Sequence, residues 1–289
     1  GRMIAKNLIV LFTVALAGFC GIQAWFTDNR SAKANGIEVE CQAPDGIEIA
    51  VVGHGDPAPT KYTVGNITLN KTDYPFLEKL QLTEITGDGT YFSKPSLIQS
   101  GGQAHVDTKA EWSEPTANEH YLSFDLYIRS KSQYNISIGK KSTIKPDAPQ
   151  LTSQDGTGIK NQSKYGNFSR DSVVGAVRFS VVDYKSAPPS KKLLWLPAPN
   201  ILLKQTTDEY TLSDDMPSGE SYSHVYYDTN RVQHTVSSTD VDKAFVVNND
   251  GFDGGKFTYE LGQNQNIAQL NKSSENDQFY SAMVTCNMW

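Results

Sequence analysis

Hydrophobic positions follow two patterns along this chain. Residues 8–26 form a nearly unbroken apolar run that ends in Ala24, Trp25, Phe26, Thr27 and Asp28. Beyond it, apolar residues recur with a period of two. Residues 120–129 are the clearest case, with Leu122, Phe124, Leu126 and Ile128 on one side and Tyr121, Ser123, Asp125, Tyr127 and Arg129 on the other. That alternation predicts a half-buried antiparallel strand whose polar side faces water. Residues 47–51, 62–69, 134–138, 173–182, 192–196, 201–204, 243–247, 256–261 and 279–289 predict further strands, and residues 222–236 a hairpin turning at Asp228 to Arg231. Helical spacing is confined to short candidates at 74–80 and 267–270. Many short strands parted by clusters of Gly, Pro, Asn and Asp predict an all-β fold, an antiparallel β-sandwich that is jelly-roll-like.

The leading apolar run needs a separate explanation. Arg2 and Lys6 precede it, and Gly18, Gly21 and Ala24 lie near its end. Basic region, apolar region and small residue together read as an N-terminal hydrophobic signal helix over residues 1–24, cut between Ala24 and Trp25. A run of this length also just suffices to cross a bilayer core of about 30 Å, so a retained anchor is the alternative. Gly18, Gly21 and Gln23 weaken a spanning helix, and this composition favours cleavage. Residues 25–289 then work outside the cytoplasm, secreted or at the cell surface, and the membrane is touched only by the N-terminal segment before cleavage. These residues read as a single β-sandwich domain. The stretch 145–167, rich in Pro, Gly, Ser and Asn, reads as a long loop or insertion because strands of the same character lie on both sides. The last strand pattern stops at Trp289 without a polar tail, so a truncated C-terminus is expected.

Composition narrows the function classes. The hydrophobic fraction of 38% is enough for a core, and the net charge of −6 becomes −8 once Arg2 and Lys6 leave with the signal. Such a surface argues against nucleic acid, which needs clustered Lys and Arg to displace phosphate counterions. Of three cysteines, Cys20 leaves with the signal, and Cys41 and Cys286 remain. Alternation points both thiols inward. A bridge between them is open in an exported protein, and so are two buried thiols, since Cys is a good core residue.

Few residue patterns in the chain point to chemistry. None of His54, His105, His120, His224 and His234 shows the spacing that puts two zinc ligands on one helical face. His224 and His234 could lie across from each other in the predicted hairpin. No third ligand accompanies them, so no metal site is expected and cross-strand packing is. The stretch Asn248, Asn249, Asp250, Gly251, Phe252, Asp253, Gly254, Gly255 resembles a calcium loop but has Phe252 where an oxygen ligand belongs, and a tight turn explains it as well. No nucleophile elbow is present. Gly87-Asp88-Gly89 is too short for a phosphate loop. Asp214 and Asp215 read as a solvated turn. The expectation is therefore a protein without catalytic residues or cofactor. Tyr is common at 14, and with Trp112, Trp195 and Trp289 could stack on sugars, which keeps a glycan-binding adhesin as the alternative; filling a sandwich core is the stronger reading. Sequons at Asn66, Asn70, Asn135, Asn161, Asn167 and Asn271 mark surface loops if the source glycosylates.

Ala24-Trp25-Phe26-Thr27-Asp28, followed by a polar segment and then Gly36, Ile37 and Val39, resembles the signal-peptide junction of the TasA/camelysin family. These are secreted proteins of Gram-positive bacteria processed by a dedicated signal peptidase. Residues 121–130, 174–178, 194–200 and 283–289 are similar to large clostridial surface proteins that share this junction. The resemblance implies a jelly-roll subunit of an extracellular matrix or biofilm fibre, its partner being another copy of itself. It also implies that the freed segment beginning Trp25, Phe26, Thr27 and Asp28, and running to Asn35, completes a sheet of the next subunit. A peptidase label attaches to camelysin, but no metal-peptidase motif supports that activity here.

Overall fold

Apolar alternation places its longest strands at the centre of one sheet. The structure, a computed structural model, describes residues 37–39, 46–100, 103–144, 159–160, 177–197, 202–206, 209–213, 223–237, 245–247, 252–253, 256–257 and 261–289. The central six-stranded sheet contains Ile47–Gly53 (β1), Leu122–Ser130 (β2), Phe179–Asp183 (β3), Ser190–Leu196 (β4), Phe245–Val247 (β5) and Tyr280–Met288 (β6), in the order β5-β4-β3-β6-β2-β1. Neighbours are antiparallel except β4 and β5, which run parallel. The sheet thus draws strands from both sides of the polar stretch 145–167. Within that stretch, Ile159 and Lys160 pair in parallel with Tyr210 and Thr211.

Register explains the first face of the sheet. Val284 lies opposite Leu126, and Cys286 lies between Phe124 and Val181. With Ile47, Ile49, Val51, Leu122, Ile128, Leu193 and Trp195 they make a continuous apolar surface. It is covered by Ile67, Leu69, Leu77, Leu80, Leu261, Ile267 and Leu270. These come partly from two small antiparallel sheets, Ile67–Leu69 with Ile37–Val39 and Gln265–Gln269 with Asn135–Ile138. The architecture is all-β, mostly antiparallel and sandwich-like. Each fully buried side chain of Leu or Val size contributes about 2 kcal/mol of transfer free energy.

The two helical candidates resolve differently. Residues 74–80 contain one short 3-10 turn, Pro75–Leu77, which presents Leu77 to the core. Residues 267–270 are not helical, because Ile267 belongs to strand Gln265–Gln269. A register shift between Asn266 and Ala268 and the exit of the chain after Gln269 turn both Ile267 and Leu270 inward, which mimics helical spacing. The predicted hairpin is present, pairing Ser223–Tyr227 with Gln233–Ser237. Asp228 Oδ1 accepts the N–H groups of Asn230 and Val232 at 2.9 Å, and Arg231 adopts a positive φ of 64° in the turn. At the calcium-like stretch, Phe252–Asp253 pairs antiparallel with Lys256–Phe257.

Candidate functional site

The second face of the central sheet is polar and nonetheless buried. Ser123, Asp125, Ser180, Thr285 and Asn287 are at most 4% exposed. The expectation that the polar side of β2 faces water therefore fails at Ser123 and Asp125. Leu194, Leu196 and Trp289 stand on this same face and pack with Ile85, Phe92 and Tyr121, while Gly89 and His54 lie against its polar groups. Buried polar groups must then satisfy one another.

They do so along two rows set by register. In the first row Asn287 stands between Ser123 and Ser180. Ser123 Oγ donates to Asn287 Oδ1 at 2.7 Å, Asn287 Nδ2 donates to Ser180 Oγ at 3.3 Å, and Ser180 Oγ donates to the Gly89 carbonyl at 2.6 Å. In the second row Thr285 stands opposite Asp125, and its hydroxyl donates to Asp125 Oδ1 at 2.6 Å. His54, just past the end of β1, places Nδ1 2.9 Å from the same oxygen. Its backbone N–H donates to the Ser123 carbonyl at 3.2 Å, so the ring and the main chain fasten the same corner. The bond to Asp125 raises the His54 pKa above its ordinary 6.5, against the effect of burial. Burial works against the Asp125 anion, but hydrogen bonds from His54, Thr285 and the Gly55 N–H hold its pKa below the ordinary value.

A loop caps these rows through its main chain. Gly87 O accepts from His224 Nε2 at 2.7 Å, Asp88 O from Lys191 Nζ at 2.7 Å, Gly89 O from Ser180, and Thr90 O from the Tyr184 hydroxyl at 2.6 Å. Consecutive carbonyls thus receive donors from separate parts of the chain. Gly89 has a φ of +91°, and a Cβ there would come within 3.0 Å of Ser180 Cβ, so both backbone conformation and space call for glycine. The Tyr184 ring lies 5.3 Å from that of His54, and burial pushes its phenol pKa up.

Nearer the sheet edge, Arg129 closes the polar face differently. Its guanidinium lies between the rings of Tyr62 at 3.8 Å and Phe279 at 4.4 Å and pairs with Glu48. Planarity lets the cation stack on both rings while bonding edge-on to the carboxylate.

The structure places the residues singled out in the sequence as follows. Ala24, Trp25, Phe26, Thr27, Asp28 and Cys41 lie outside the described residues. Cys286 lies on the apolar face, where burial pushes its thiol pKa up to about 12. His234 stands opposite Tyr226 rather than opposite His224. The Tyr226 ring stacks on both imidazoles, at 5.4 Å from His224 and 5.2 Å from His234, so cross-strand packing holds and the rings are kept apart. Among the described residues no helix is long and apolar enough to cross a membrane, and no cluster of His, Cys, Asp and Glu is arranged to hold a metal ion. Trp195 and Trp289 are buried, and Trp112 sits edge-on to Tyr227 at 5.8 Å.

The alternation and the turn signals carried no sign of the Asp125–His54–Thr285 cluster, because its members are 71 and 160 positions apart from Asp125. Gly87-Asp88-Gly89 was the one local signal, since two glycines around an aspartate mark a backbone that something approaches closely. Comparison with protein-family models, curated proteins and solved structures gives no match.

Proposed function

We propose that this protein is an exported structural subunit, secreted or displayed on the cell surface, with a jelly-roll type of β-sandwich that assembles with copies of itself by strand addition. The observation that carries the reading is the edge of the central sheet. Among the described residues, β1 bonds outward to Thr63 through Ile49, at 2.8 and 2.9 Å, and through Gly53 to its own turn at Asp56. In this proposal an extended segment pairs with the outward main-chain groups on either side of that bridge, at Ile47 and Val51, residues that are 7% exposed before assembly. Residues 25–35, freed by cleavage after Ala24, are the donor in this proposal. The polar face supports a non-catalytic role, since Asp125, His54, Thr285, Ser123 and Asn287 spend their hydrogen bonds on fastening strands to one another.

The test compares protein beginning at Trp25 with protein lacking residues 25–35, by sedimentation and electron microscopy across a concentration range. Oligomers or fibres that grow with concentration and vanish with the deletion are expected. A species that stays monomeric at every concentration overturns the proposal.

A further inference from the structure

We propose that the hairpin of residues 223–237 is a flap released by acid, held closed on the loop of residues 86–91 by the neutral imidazole of His224. His224 is only 2% exposed, and its two nitrogens meet opposite demands. Nε2 donates to the Gly87 carbonyl at 2.7 Å, which leaves Nδ1 as an acceptor facing Arg178 Nε at 3.4 Å. Only the uncharged ring fits both neighbours. A proton on Nδ1 would set N–H against N–H and cation against cation.

The other groups around the ring strengthen this preference. Lys191 binds the Asp88 carbonyl, adding a second cation that acts on the ring. The Asp88 carboxylate is the nearby anion, and its Oδ1 already accepts the N–H groups of Thr90 and Tyr91. Tyr226 stacks on His224, and Trp289 meets it edge-on at 6.1 Å. His234, beyond Tyr226, is paired with Asp228. Burial, then the charges of Arg178 and Lys191, hold the His224 pKa down to about 4 although Gly87 and Asp88 act the other way.

Among the described residues the remaining attachments of the hairpin are thin. Tyr227 N–H donates to Thr86 Oγ1 at 2.8 Å, Arg231 Nη1 reaches the Thr108 carbonyl at 3.5 Å, and Tyr227 meets Trp112. Val225 and Val232 are exposed and add nothing to closure. In an open hairpin the imidazole returns toward its ordinary 6.5. The closed form is therefore fully favoured above about 6.5 and loses ground as pH falls from there toward 4. Between pH 7 and pH 5 the open-to-closed ratio rises roughly 20-fold.

Amide hydrogen exchange at pH 7 and pH 5, corrected for intrinsic rates, tests this on wild-type protein and on His224→Gln. The expected result is a roughly 20-fold loss of protection confined to residues 223–237, with β2 and β6 unchanged, and no such pH dependence in His224→Gln. Equal hairpin protection at both pH values, or opening of β2 and β6 together with the hairpin, overturns the proposal. Should the variant fail to fold, an NMR titration of the wild-type imidazole decides: a His224 that titrates near its ordinary value in the folded protein overturns it as well.

Discussion

On one face of β6, Val284 and Cys286 pack among Phe124, Leu126 and Val181; on the other, Thr285 and Asn287 bond to Asp125, Ser123 and Ser180. The same strands are thus held by area on one side and by geometry on the other. Apolar burial forbids a slip of one residue, which would turn the apolar side chains to the other face, but discriminates less against a slip of two, whereas a hydrogen-bonded row such as Ser123–Asn287–Ser180 is satisfied in one register only. The apolar face supplies most of the stability, and the polar face selects which strands lie side by side. A slip of one residue at β6 would bury Thr285 and Asn287 in the apolar layer and leave Ser123 and Asp125 without partners.

Mutations can break this comparison, beginning with the largest effect. Leu193→Ala, at a site with 0% exposure, is expected to cost about 3 kcal/mol through lost transfer energy and a cavity, read from urea unfolding. Asn287→Ala leaves the hydroxyls of Ser123 and Ser180 short of a partner and is expected to cost about 2 kcal/mol. The triple variant Ser123→Ala, Asn287→Leu, Ser180→Ala removes the row's own donors and acceptors together and leaves the Gly89 carbonyl without its side-chain donor. It is expected to recover to within about 1 kcal/mol of wild type while losing amide protection in β3 and β6. A triple variant that is both as stable and as well protected as wild type would show that the polar rows carry no register information.

The two partners of the His54–Asp125 pair respond to pH with opposite sign. The His54 pKa is raised, so its contribution is complete below the ordinary 6.5 and is lost as pH rises through the folded value. The Asp125 pKa is lowered, so its contribution is complete above the ordinary 3.8 and is lost as pH falls through the folded value. The clasp is therefore whole between these limits, the range in which the His224 flap loosens. Because the His54 side chain is 37% exposed, the gap between wild type and His54→Gln is expected to stay under about 1 kcal/mol and to shrink above neutrality. Thermal unfolding as a function of pH measures it. Arg129→Lys should have the smallest effect, about 0.5 kcal/mol, because an ammonium keeps the charge beside Glu48 but cannot stack on Tyr62 and Phe279 at once.

Much of the architecture was legible in the order of residues. Residues 120–129 and 279–289 alternate strongly enough to specify strands, and Asp228 to Arg231 carry their own turn chemistry, because backbone period and side-chain-to-backbone bonds are local. The same reasoning misjudged Ile267 and Leu270, where a bulge imitates a helical interval, and it put Ser123 and Asp125 in water. Alternation reports that two sides of a strand differ, not whether a second layer covers the polar one.

The sequence by itself determined that the described part of this chain is all-β, where most of its strands and turns fall, and which side of each central strand is greasy. Tertiary structure alone decided that the polar side is buried as well, that His54 meets Asp125 and Thr285, and that four successive carbonyls of residues 87–90 are gathered by His224, Lys191, Ser180 and Tyr184. Local preferences act over a few residues. These contacts span up to 231 positions, the separation of His54 from Thr285, and exist only once strands from both ends of the chain share one sheet.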